Sequence, residues 1–139
     1  MFKMNMEESN NGSKKLQIRN STAEFLIFQI ENKEEGIEVL YQDETLWLTQ
    51  KTMSILFDVD IRTINEHLKN IYSQGEVDKN TTIRKNRIVQ KEGNRNISRE
   101  VFIYSLDAII SVGYRVNSVP ATQFRQWCTF ILRQFAIRG

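Results

Sequence analysis

Between Trp47 and Tyr72 the chain reads W-L-T-Q-K-T-M-S-I-L-F-D-V-D-I-R-T-I-N-E-H-L-K-N-I-Y, two helical periods separated by a very short connection. Thr49 is placed to cap a first helix whose Met53, Leu56 and Phe57 share a face. Asp60 is placed to cap a second, whose Ile61, Ile64, Leu68 and Ile71 share another. With only Asp58 and Val59 between the caps, the helices must cross steeply, and Val59 plugs the gap between them. This is the sequence form of a helix-turn-helix, and it leaves one side of the second helix free to enter a major groove. Arg62, Thr63, Asn65 and Glu66 on that side are candidates for base edges, Arg pairing with guanine and Asn with adenine, and Lys69 is a candidate phosphate contact.

The remaining chain can surround that pair with one core. Its 139 residues are 40% apolar and include fourteen aromatics, enough for a single compact domain. No apolar run is long enough for a bilayer and the N-terminus lacks a secretory apolar segment, so a cytoplasmic protein is expected. A lone cysteine, Cys128, excludes an internal disulfide and reads as a small buried hydrophobe. The net charge of +2 conceals a division: Met1 to Asp60 hold six Lys/Arg against eleven Asp/Glu, −5, and Ile61 to Gly139 hold thirteen against six, +7. Such a surface can orient on a polyanion, although charge alone fits a solvated surface equally well.

Residues 1–20 are polar and aperiodic and read as a flexible tail, leaving 21–139 as the domain. Glu24 to Ile30 has the β-branched and aromatic content of a strand, Ile37 to Tyr41 that of a second, and N-K-E-E-G between them suggests a hairpin. A short strand through Leu46 and Leu48 follows Asp43-Glu44. Past the second helix, Gly75 reads as a stop and E-V-D-K-N-T-T as a loop. Ile83 to Lys91 and Ile97 to Tyr104 flank E-G-N-R-N, where Gly93 and Asn94 tolerate positive φ, so a wing-like β-hairpin is expected. Its Arg84, Lys85, Arg87, Lys91, Arg95 and Arg99 are the further phosphate-contact candidates, in a span from Lys79 to Arg99 whose sole acid is Glu92. Ser105 can cap a helix ended by Gly113, and Y-R-V-N-S links it to a last helix begun by Ser118. Along that helix Phe124, Trp127, Cys128, Ile131, Leu132 and Phe135 form a stripe, read as core or as a homodimer seam. The stop soon after it is what a cut before a further segment would look like.

Catalytic chemistry is poorly supplied. His67 and Cys128 stand alone in their types, so the usual zinc sites and a Ser-His-Asp triad are not readily assembled. The glycines form no phosphate-cradling loop, and carboxylate pairs such as Glu34-Glu35 and Asp43-Glu44 fall in turns. The expectation is no enzyme, no cofactor and no metal.

Three blocks carry a family resemblance: L-W-L-T-Q-K leading through L-F-D-V-D to H-L-K-N-I-Y, then Y-S-L-D-A-I-I-S-V-G-Y-R-V-N-S, then A-T-Q-F-R-Q-W. Together, over about residues 25–139, they closely resemble the virulence protein RhuM family, whose N-terminal region is similar in style to the BRO-N and KilA-N domains of phage and large DNA viruses. The resemblance implies a DNA-binding, transcription-regulator-like protein associated with mobile elements, and carries over no catalytic residues. Two departures bear on docking: Asp58 stands where helix-turn-helix turns often have Gly, and Met53 where a small Ala is frequent, which would set the helices further apart. In Y-R-V-N-S, Arg115 either grips a phosphate or bridges carbonyls at the end of the Leu106 helix, with Asn117 and Ser118 capping the next helix.

The reading is therefore an α+β domain: N-terminal β-strands, a helix-turn-helix with a wing-like hairpin, then a C-terminal helical pair. Its expected partner is double-stranded DNA, bound as a homodimer through the Phe124 to Phe135 helix. The alternative is an antirepressor-like interaction module that holds a partner protein on the same scaffold.

Overall fold

The protein is described by a computed structural model covering residues 21–30 and 39–137. Residues 21–30 form helix α1, followed by β1 (Leu40–Gln42), β2 (Thr45–Leu48), α2 (Gln50–Phe57), α3 (Ile61–Ser73) and the single turn α4 (Lys79–Thr82). The hairpin strands β3 (Ile83–Glu92) and β4 (Arg95–Ser105) come next, then α5 (Leu106–Arg115) and α6 (Val119–Ile137). The chain is thus α+β, as expected.

The strand expected at Glu24 to Ile30 is a helix instead. Its buried positions are Thr22, Ala23, Leu26 and Ile30, a helical spacing that a strand cannot place on one face. Phe25 stacks on Trp127, centroids 4.8 Å apart and planes 9° from parallel. Packing against α6 therefore overrides the strand-like composition. The expected flexible tail and the hairpin at N-K-E-E-G lie outside the described residues, as do Ile37 and Glu38 of the second expected strand, whose Leu40 and Tyr41 fall in β1.

Both hinges of the α2–α3 pair form as their residues dictate. The Thr49 side chain accepts from the Thr52 amide and that of Asp60 from the Arg62 amide. Asp58 adopts the left-handed conformation at φ 55° and ψ 53°. The Val59 amide donates to the Ser54 carbonyl at 3.0 Å and the Asp58 amide to the Ile55 carbonyl at 3.4 Å. That is a Schellman closure with Asp in the position glycine normally takes. Asp58→Gly should accordingly raise stability by about 0.5–1 kcal/mol, the relief of left-handed strain outweighing glycine's extra chain entropy. A lower urea midpoint for the variant would contradict that account. Met53 is fully buried between the helices, and Val59 packs on the core. Gly75 (φ 67°) repeats the closure after α3, with the Glu76 amide on the Ile71 carbonyl at 3.0 Å. The expected loop beyond it contains α4, because the Asp78 side chain accepts from the Asn80 amide and nucleates a turn.

The four strands form one antiparallel sheet in the order β1-β2-β4-β3. β3 and β4 pair from Ile83 opposite Tyr104 to Glu92 opposite Arg95, so Gly93 and Asn94 alone make the turn. Positive φ is needed only at Gly93 (63°). Asp43 and Glu44, both at positive φ, close the β1–β2 hairpin in the manner of a type I′ turn.

Gly113 does not end its helix. It lies inside α5, where an added Cβ would come within 2.5 Å of the Phe124 ring and 3.1 Å of Phe57. The glycine is there for close approach of α6. Ser105 sits at the N-cap of α5 without a side-chain capping bond, whereas Ser118 starts α6 as expected. Ser118 Oγ accepts from the Ala121 amide at 3.2 Å and donates to the Phe57 carbonyl at 2.7 Å, fastening α6 to the end of α2. Among the described residues, no helix is long and apolar enough to cross a membrane.

Candidate nucleic-acid interface

The helix α3 buries Ile64, Leu68 and Ile71 and turns Arg62, Glu66 and Lys69 outward. Arg62 is wide open, its side chain 91% exposed and its Nε 3.5 Å from the Asp60 carboxylate. Thr63 and Asn65 lie at the flanks and are half-buried. The Asn65 Oδ1 accepts from Gln50 Nε2 at 3.3 Å, and the same amide reaches the Tyr104 hydroxyl at 3.0 Å. This polar bridge ties α2, α3 and β4 together, so Asn65 also helps fix the angle of the helix on which Arg62 stands.

The hairpin cations divide into two groups. Arg84 is occupied: its guanidinium lies 4.2 Å from the Trp47 ring centroid, meets Asp43 Oδ2 at 2.8 Å and donates to Gln42 Oε1 at 3.1 Å. Trp47 Nε1 in turn donates to the Gln42 carbonyl, so Arg84 anchors the strained Asp43-Glu44 turn. Arg99 pairs with Glu92 at 2.7 Å, and Lys85 lies 4.0 Å from Glu100. Arg87 donates to Ser98 Oγ at 3.1 Å. Lys91, Arg95 and Lys69 enter no ion pair among the described residues. Strand alternation puts Lys85, Arg87 and Lys91 on one face of the hairpin, with Arg84 on the other.

Arg115 does not bridge the carbonyls at the end of its helix, as one of its two expected roles had it. Its Nη2 donates at 2.8 Å both to Gln74 Oε1 and to Glu76 Oε2, clamping the C-terminal end of α3 to α5. That hydrogen bond holds the Glu76 carboxyl below its usual range. The carbonyls at the end of α5 are instead bridged by Arg125, whose Nη1 reaches those of Gly113 (2.9 Å) and Val116 (2.8 Å). Arg125 was not singled out in the sequence, and its place three residues after Thr122, to whose Oγ1 Nη2 donates, is the only local signal.

His67 is half-buried on the α5 side of α3, its imidazole driven toward the neutral form by burial and then by the Arg115 charge. Cys128 is buried, and burial pushes its thiol up to about 11. No group of three or more His, Cys, Asp or Glu side chains among the described residues can hold a metal ion. Phe124, Cys128 and Ile131 of the α6 stripe face the core, Trp127 is covered by Phe25, and Leu132 is exposed; the Phe135 side chain lies outside the described residues.

These features define an α+β domain in which a tightly turned helical pair is followed by a long basic hairpin and closed by two packed helices. Residues 81–139 match the model of the virulence protein RhuM family, and over that stretch the chain is similar to it. The match takes in the hairpin, α5 and α6, and is shorter than the resemblance drawn from residue 25 onward. No curated protein and no solved structure gives a significant match.

Proposed function

We propose that the chain is a cytoplasmic, non-catalytic DNA-binding domain that lays α3 in the major groove of a duplex and its hairpin along the neighbouring backbone. The observation that carries this reading is the outward row of Arg62, Glu66 and Lys69 on a helix fixed at both ends, beside a hairpin whose Arg87 and Lys91 share one face, whose Arg95 stands at the tip on the other, and in which these three enter no ion pair among the described residues. A helix read by a groove must be rigid and unobstructed. The capping Asp60, the Gln50–Asn65–Tyr104 bridge and the Arg115 clamp supply the rigidity.

Arg62 is the base-reading residue of this account, with Thr63, Asn65 and Glu66 lining the same groove. Arg84, Lys85 and Arg99 move out of the first rank of phosphate contacts because each already faces a carboxylate. A dimer would use the outer edge of α6, Phe130 and Leu132, since the inner residues are spent in the core.

Selection of a preferred site from random duplexes, followed by titration of variants on it, tests the reading. Arg62→Ala should cost about 1–3 kcal/mol on the preferred site and flatten the preference at one base pair. Arg95→Ala should weaken all duplexes alike. Uniform loss from Arg62→Ala together with selective loss from Arg95→Ala would reverse the docking. A protein that selects no duplex but pulls down a repressor-like partner would favour the interaction-module alternative.

A further inference from the structure

Between the C-terminal half of α3 and the base of the hairpin runs a groove of about 540 Å³, lined chiefly by Lys69, Tyr72, Lys79, Ile83, Phe102 and Tyr104. Its floor is aromatic, and the polar ends of the floor are already used. The Tyr72 hydroxyl shares a hydrogen bond with Thr82 Oγ1 at 2.8 Å, and the Tyr104 hydroxyl accepts from Gln50. What remains on offer is ring surface and ammonium groups. Lys69 and Lys79 enter no ion pair among the described residues, and no carboxylate lines the groove.

Phe102 makes the groove unusual. It is 52% exposed, and the positions beside it on that face, Lys85, Arg87 and Glu100, are charged. The register sets it opposite Lys85, whose Nζ lies 5.7 Å from its ring centroid. A ring available for stacking, in a groove that also holds Lys69 and Lys79, complements a ligand that joins a flat apolar surface to a negative charge. Successive nucleotides of a single strand have that composition, and every base presents a π-face whatever its identity.

We propose that this groove takes an unstacked nucleotide of single-stranded or locally opened DNA, its base on Phe102 and its flanking phosphates toward Lys69 and Lys79. The inference rests on the nucleic-acid reading of α3 and the hairpin and adds a second form of DNA to it. A fully stacked duplex keeps its base faces covered, so the Phe102 contact belongs to the opened strand.

The test is fluorescence anisotropy with a labelled oligothymidylate and, separately, a labelled duplex of the same length, using the whole chain. Phe102→Ala should weaken oligothymidylate binding by roughly 5- to 150-fold, the fold equivalent of one stacked base. Duplex affinity should stay within about twofold, and Phe102→Trp should keep single-strand binding because its ring still stacks. Lys79→Ala should lower the single-strand salt slope by about 0.7. Equal losses on both DNAs, or oligothymidylate binding indifferent to Phe102→Ala, overturns the proposal. Duplex binding without oligothymidylate binding removes the groove site and leaves the duplex reading standing; binding to neither removes both. Capture of an acidic Glu-Phe peptide in place of the oligonucleotide, abolished by Phe102→Ala, overturns the proposal in favour of a protein ligand.

Discussion

Phe124→Ala should cost about 3–5 kcal/mol, the usual loss for truncating a buried aromatic, out of a total that for a domain of this size is about 5–15 kcal/mol. The ring is 1% exposed and meets Phe57 edge-on at 5.7 Å and Tyr114 at 6.4 Å. It also rests on Gly113, so its removal has a specific partner effect. Gly113→Ala alone should destabilise by about 1–3 kcal/mol, because the new methyl meets ring carbons at 2.5 Å. In the Phe124→Ala background the same change escapes the 2.5 Å clash, keeps only the 3.1 Å contact with Phe57 and gains helix propensity, about 1 kcal/mol in its favour. The two changes should therefore be coupled by about 2 kcal/mol or more in a double-mutant cycle read from urea midpoints. Simple additivity would show that α5 and α6 do not meet at this contact.

That contact illustrates what the sequence could and could not reveal. Gly113 reads as a helix stop because glycine has two common reasons to be near a helix end, and only the ring eleven residues later in the chain distinguishes them. Thr49, Asp60 and Ser118 were legible because a cap acts on amides two or three residues away. The α2–α3 pair and the β3–β4 hairpin were legible for the same reason: their period and their turns are local. Residues 21–30 misled because composition favoured a strand while the spacing of Ala23, Leu26 and Ile30 favoured a helix, and the deciding surface is supplied by α6.

The candidate site divides along the same line. Exposure of Arg62, Glu66 and Lys69 followed from helical period alone. The engagement of Arg84 with Asp43, and of Arg115 with Gln74 and Glu76, spans about forty residues and depends on the sheet order and the α3–α5 packing. Counting basic residues along the hairpin therefore overstated the charge available to a polyanion, since Glu92, Glu100 and Asp43 answer three of the cations.

The second large effect is the salt dependence of DNA binding. Lys69, Arg87, Lys91 and Arg95 are the cations of the proposed interface that have no carboxylate partner among the described residues. If each neutralises one phosphate, the logarithmic salt slope is about −3.6, and affinity falls about 150-fold between roughly 50 and 200 mM salt. Exchanging Lys91 and Arg95 for Ala should bring that slope to about −1.8, whereas Arg84→Ala should change it little and instead loosen the Asp43-Glu44 turn. An apolar protein interface would be nearly indifferent to the same change in salt.

Anisotropy of a random-sequence duplex titrated with the protein at those two salt concentrations is the most direct measurement of the central proposal. The account predicts binding that weakens by about two orders of magnitude and a slope halved by the Lys91→Ala/Arg95→Ala pair. Absence of binding at the lower salt, or binding whose slope is untouched by that pair, would contradict it.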